Sequence, residues 1–166
     1  MALKLFRSYG FFVLAALVAV SGSACFNSEK QPNNIVIGSG WYDLERSADG
    51  KNWWVWTREK GQLIVEMDKE IVLQMNGGVG AIERPNKVEV SLNGALVKTW
   101  DVTGDKYEQK PFETLPLTLK AGKNTIEFKS VNQPAKIATD PRELAIAIDD
   151  ITLSNQDGSV KYELAR

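Results

Sequence analysis

Between Gly38 and Gly61 the chain reads GSGWYDLERSADGKNWWVWTREKG, which holds four of its five tryptophans. Indole and phenol rings bury more area than other side chains, and they also offer flat faces on which flat ligands stack. Neighbours in a strand point to opposite sides, so Trp54 and Trp56 share one face of WWVWT, and Trp53 and Val55 share the other. Two such faces cannot both sit comfortably in water, so at least one pair belongs to a core. Core packing is expected for Trp54 and Trp56. Trp41, Tyr42 and Trp53 are then the rings left for a rim. There Asp43, Asn52 and Arg58 would bond the hydroxyls of a sugar stacked on an aromatic face. Core or rim packing competes for the same three rings.

Three further groups carry chemistry. Arg142 follows Pro141, and its guanidinium is suited to pair bidentately with Glu45 or Asp140 and so clasp distant parts of the chain. The alternative is that Arg142 and Glu45 face a ligand. Asp149 and Asp150 lie between two apolar alternations, Ile146/Ile148 and Ile151/Leu153, whose phase shifts between them as at a bulge. Adjacent carboxylates there suggest a structural calcium, which takes six to eight oxygens, against the plainer outcome that one acid faces solvent. Gly77–Gly80 (GGVG) lacks the Gly-Lys-Ser/Thr ending and the helix of a phosphate loop, and is expected to be a loop between strands.

The chain has no histidine, which removes Ser-His and Cys-His nucleophile systems and histidine-ligated zinc. A two-carboxylate glycosidase stays chemically open, but no acid pair is forced by the sequence to converge. A non-catalytic protein is expected.

These groups need a scaffold, and the sequence supplies strands. GQLIVEM puts Leu63, Val65 and Met67 on one face, and KVEVSL puts Val88, Val90 and Leu92 on one face. Asn93-Gly94 is a strong hairpin signal, and Lys120–Lys123 forms a second turn before NTIEFKS. ELAIAI, ITLSN and VKYEL close the chain. About ten short strands with Gly-rich turns imply an all-β, two-sheet antiparallel sandwich.

The N-terminus has another character. Lys4 and Arg7 precede an unbroken apolar run, Phe11–Val20, and then small residues, the layout of an export signal. Residues 1–24 are expected to be removed, residues 25–34 to form a tether, and residues 35–166 to form the single domain. Without residues 1–24 the chain loses two positive charges, leaving 18 basic and 21 acidic residues. That balance argues against nucleic-acid binding, which rests on neutralising phosphates.

Cys25, the only cysteine, resembles the lipidated cysteine of bacterial lipoproteins, with Gly22 standing where a large aliphatic residue is usual. A diacylated Cys25 would anchor the protein stably, and lipid would be its only contact with a membrane. Phe26 rather than Asp after that cysteine resembles sorting to the outer membrane.

GWYDLE, WVWT, SLNGALV and DPRELAIAI, taken in order, resemble the jelly-roll β-sandwich module appended to bacterial membrane glycosyltransferases and related cell-surface glycan proteins. The matching positions are Gly40, Trp41, Tyr42 and Glu45, then Trp54, Trp56 and Thr57, then Asn93 and Gly94, then Asp140, Arg142 and Leu144. LKAGKNTIEF is similar to the hairpin of galactose-binding-like carbohydrate modules, in which a structural calcium is common. The resemblance implies a galactose-binding-like jelly roll and a glycan-related, non-catalytic module of the cell envelope. An accessory lipoprotein docking an envelope protein through a sheet face is the alternative. An exposed Trp100, far from the other rings, would favour it.

Overall fold

The computed structural model describes residues 34–105 and 108–164. The expected signal peptide, Cys25 and the tether up to residue 33 lie outside the described residues. The described residues form strands and turns with no helix. Two sheets pack face to face as a jelly-roll sandwich.

In one sheet, β5 (Ile71–Ala81) pairs with β13 (Ile146–Ser154) on one side and with β8 (Lys110–Pro111) and β9 (Leu115–Leu119) on the other. The first half of β13 pairs with β3 (Trp53–Thr57), which carries β2 (Glu45–Arg46), and the second half pairs with β14 (Lys161–Leu164). The second sheet runs β4 (Lys60–Met67), β10 (Gly122–Ser130), β6 (Asn86–Leu92) and β7 (Ala95–Val102).

β1 (Asn34–Ile37) joins the two sheets. Asn34 and Ile35 pair with β14, and Val36 and Ile37 pair with β4. The β1–β14 pairing is parallel, so the sandwich is not wholly antiparallel as the sequence suggested. A strand that changes sheets can be antiparallel to its partner in one sheet and parallel to its partner in the other.

The alternating residues meet between the sheets. Leu63, Val65, Met67, Val88, Val90, Ile126 and Phe128 from one side are buried with Val55, Leu73, Met75, Leu117, Ile148 and Leu153 from the other. Each large side chain so buried contributes on the order of 2 kcal/mol. Asn93 and Gly94 both have positive φ (51° and 84°), the conformation of a tight two-residue hairpin turn. Buried Asn124 ties that turn to its neighbour. Its Oδ1 accepts from Asn93 Nδ2 and from Lys120 N, each at 3.0 Å, and its Nδ2 donates to the carbonyl of Lys120 at 2.8 Å.

At Asp149–Asp150 the pairing of β13 with β5 shifts register, and Asp150 has φ 46°. The extra residue flips the phase, so Ile146 and Ile148 before it and Ile151 and Leu153 after it all point into the core. Gly77–Gly80 is not a loop but part of β5. Glycine is required on this strand because other groups occupy the space of its side chains. A Cβ on Gly78 would lie 1.9 Å from Asp149 Oδ1, and one on Gly80 would lie 3.0 Å from Gln109 Cγ.

The outer face of the β3–β13–β5 sheet is itself partly covered. The hairpin of β11 (Ala135–Ile137) and β12 (Asp140–Leu144) lies over it and closes a second, smaller apolar cluster. Trp56, Ile82, Leu144 and Ala147 are its buried members, with Tyr42, Trp54, Ala135 and Ile137 packed around them.

Candidate functional site

Tryptophans on β3 point both ways because both faces of that strand are covered. Trp53, Val55 and Thr57 turn inward, and Trp54 and Trp56 turn outward under the β11–β12 hairpin. The two rings expected in a core thus pack in the outer cluster, with Trp56 buried there. Trp53 is 3% exposed and belongs to the main core, so it is not a rim residue. Trp54 and Trp56 are filler of the outer cluster, as expected, and they also line an open furrow of about 360 Å³ together with Glu45, Gln109, Ile137, Asp140, Arg142 and Leu144.

The other proposed contact residues are dispersed. Trp41 lies against Gly61 and Phe128 and donates its Nε1–H to the Gln62 carbonyl at 2.8 Å, so it packs on the main core. Tyr42, one residue on, faces the outer cluster and donates its hydroxyl to the Glu143 carbonyl at 2.9 Å. Asp43 and Asn52 are exposed, Asn52 directly before β3 at the base of the β2–β3 turn. Arg58 is ion-paired with Glu143 at 2.7 Å. None of the six residues proposed from the sequence lines the furrow; Tyr42 touches one that does, Arg142, whose Cζ stands 5.1 Å from the centre of its ring.

The wall is built on the guanidinium. Arg142 Nε donates to both Asp140 oxygens at 3.0 and 3.1 Å, Nη2 donates to Asp140 Oδ2 at 2.6 Å, and the Arg142 backbone N–H donates to Asp140 Oδ1 at 2.9 Å. Nη2 also reaches Glu45 Oε1 at 2.7 Å. The other Glu45 oxygen accepts from Trp54 Nε1 at 3.0 Å. One arginine thus links β2 to β12, and through Glu45 fixes the tilt of an indole in the furrow. The hydrogen bonds from Arg142 hold the Asp140 carboxyl below its ordinary range, and Asp140 first, then Glu45, raise the arginine further. Gln109, from the segment that leads into β8, forms the opposite side over Gly80. No sequence signal marks Gln109. For Trp54 and Trp56 the signal is the DPREL turn, whose strand covers the outer face, buries Trp56 and leaves Trp54 at its edge.

Asp149 continues this face. It pairs across the strands with Trp54 on one side and Gly78 on the other, so Glu45, Trp54, Asp149 and Gly78 form one row over four strands. Burial, and secondarily the neighbouring Asp150 charge, push its carboxyl up to about 6, and the Gly78 N–H opposes them. Asp150 is exposed. The pair supplies few of the six to eight oxygens calcium takes. Among the described residues there is no group of three or more His, Cys, Asp or Glu able to hold a metal ion.

A stability test of Asp149 follows from linkage. The folded carboxyl titrates near 6, above its ordinary 3.8. The folded state therefore binds more protons across that interval, and stability falls as pH rises through it. Asp149→Asn removes this loss. The variant is expected to match the wild type in denaturant midpoint near pH 4 and to be more stable by about 1 kcal/mol at pH 8, after discounting for solvent screening. Equal midpoints at both pH values would refute the assignment.

Trp100 is 6% exposed and stacked on Phe112 with ring centres 4.1 Å apart, so it offers no docking surface.

Fold and furrow together define a β-sandwich that carries an aromatic-lined trough on the outer face of one sheet. No family model and no curated relative matches the chain. Among solved structures it is similar to a family 35 carbohydrate binding module from an environmental isolate, at 15% identity over 70% of this chain and 88% of that one, with a TM-score of 0.47. A family 35 carbohydrate binding module from Clostridium thermocellum is 17% identical over 73% and 93%, with a TM-score of 0.41. A carbohydrate binding module from Cellvibrio mixtus lichenase 5A, solved in complex with cellotriose, is 13% identical over 71% and 88%, with a TM-score of 0.43. At such levels of similarity the furrow's own residues must carry its chemistry.

Proposed function

We infer that the protein is a non-catalytic glycan-binding module whose ligand lies in the furrow over Trp54 and Trp56. One observation carries this reading: the half-buried Trp54 indole, with buried Trp56 beside it, lines an open trough together with a fixed guanidinium, two carboxylates and an amide. A pyranose has an apolar C–H face that suits an indole, and a hydroxyl rim that suits planar hydrogen-bonding groups held in place. The volume, about 360 Å³, falls in the range of small-ligand sites. Asp140 and Glu45 are both bound to the same arginine, so neither is free to serve as a general acid.

In the same reading the export signal and a lipidated Cys25 hold the module on a membrane surface of the envelope, where glycans are at hand. Mass spectrometry of the mature N-terminus tests that anchor; an unmodified thiol at residue 25 would remove it.

The binding test is a glycan array followed by titration calorimetry. Trp54→Ala is expected to weaken any glycan bound by the wild type about tenfold, the loss of roughly 1.4 kcal/mol of stacking. The β-rich circular dichroism spectrum should be retained. A folded Trp54→Ala variant with unchanged affinity would rule out the furrow as the binding site.

A further inference from the structure

The furrow sits beside a strip that has no side chains of its own. On the outer face, β5 presents Gly78 and Gly80, and the space above them is taken by Asp149 Oδ1 and by Gln109. Gln109 lines the furrow, and Asp149 is the direct cross-strand neighbour of Trp54, which lines it too. Among the described residues no ion pair engages Asp149, in contrast to Glu45 and Asp140, which share Arg142, and to Glu143, which holds Arg58. A half-buried carboxylate without a counter-charge beside an aromatic trough costs stability, and such a cost is commonly kept where a site needs the group.

The charges at and beside the furrow do not balance either. Within it Glu45 and Asp140 face one Arg142, and beside it Asp149 adds a further negative charge, with Asp150 next in the chain. Arg58, just beyond the end of β3, is engaged by Glu143. A trough with a net excess of one sign and low-dielectric aromatic walls concentrates ligands of the opposite sign and repels those of its own. An indole face adds to the attraction for an ammonium group.

We propose that the furrow extends past Trp54 to Asp149, and that the Asp149 carboxylate selects sugars bearing a free amine over neutral ones and excludes uronic and other anionic sugars. This rests on the glycan-binding reading above and adds the class of ligand. An ammonium substituent would donate to Asp149 while its ring lies along Trp54. A ligand carboxylate would meet unpaired negative charge on the same path.

The test titrates a glucosamine hexamer, an N-acetylglucosamine hexamer and an oligogalacturonate into the full chain at pH 7 and low salt, with Asp149→Asn and Trp54→Ala alongside. The wild type is expected to bind the amine-bearing hexamer at least about tenfold tighter than the acetylated one, as one good charged contact gives, and to show no measurable affinity for the galacturonate. Asp149→Asn should reduce that ratio to about threefold or less, as loss of the one charged contact requires. Salt should weaken the amine-bearing ligand more than the neutral one. If Trp54→Ala weakens both hexamers but Asp149→Asn leaves their ratio unchanged, the selectivity proposal fails and the glycan-binding reading stands. Selectivity for amines fails in the same way if the wild type prefers the acetylated or acidic ligand. If no oligosaccharide binds the wild type, or Trp54→Ala changes nothing, both fail together.

Discussion

Gly61→Ala is expected to destabilise the domain by about 3 kcal/mol. Gly61 lies in β4 under the flat of the Trp41 indole, and a Cβ there would stand 2.2, 2.4 and 2.6 Å from Trp41 Cε2, Cδ2 and Cζ2. These are fused-ring atoms and cannot rotate aside individually. The whole indole must lift, which breaks its 2.8 Å hydrogen bond to the Gln62 carbonyl and its tilted contact with Phe128, 6.1 Å between ring centres. Overpacking costs roughly 1–3 kcal/mol, and a lost buried hydrogen bond adds about 1 kcal/mol. Urea denaturation gives the value directly. Trp41→Ala should also destabilise, and adding Gly61→Ala to it should then cost little, because the clash needs both partners. A Gly61→Ala protein within about 0.5 kcal/mol of the wild type, a limit typical of neutral surface changes, would show that the indole does not sit there.

Arg142→Met is expected to cost about 2 kcal/mol, the second-largest effect on folding. The network is only partly buried, the Arg142 side chain being 29% exposed, so the cost lies between the ~0–1 kcal/mol of a surface pair and the ~3–5 kcal/mol of breaking a fully buried one. The change strands Asp140 and Glu45 beside each other and takes the cation from the face of Tyr42. Its pH dependence has a definite sign. Asp140 is held below its ordinary 3.8 in the folded state by Arg142, so its contribution is full above that value and lost as pH falls through the folded value. The gap between wild type and variant should therefore narrow below about pH 4, and the Asp140 carboxyl of the variant should titrate higher by NMR. A gap that stays constant down to about pH 2 would mean that the arginine acts through packing alone.

The inward rows of β4, β6 and β10, the Asn93-Gly94 turn and the phase shift at Asp149–Asp150 were legible in the sequence. Each is written in a local period of two or in a turn that only certain residues make. The facing of the tryptophans was not. Alternation tells inside from outside only when one side of a strand meets water, and both sides of β3 are covered, by the opposing sheet and by the β11–β12 hairpin. The strand character of Gly77–Gly80 was also hidden. Glycine usually reports a need for freedom, whereas here it reports space taken by Asp149 and Gln109 from other parts of the chain. Glu45, Asp140 and Arg142 could be grouped by charge from the sequence. That the same group also orients Trp54, through the 3.0 Å bond from its indole to Glu45, depends on which way that ring turns.

The strand shared by the two sheets has a mechanical consequence. β1 and β14 run side by side in the same direction, with Asn34 beside Glu163 and Ile35 beside Leu164. Tension applied between the two ends of the domain pulls one strand backward and the other forward, so the bonds between them are loaded in shear and must yield together instead of unzipping in turn. The antiparallel grip of β4 on Val36 and Ile37 reinforces the same strand from its other edge. A module drawn on from both ends would hold its shape until this clamp slid as a unit.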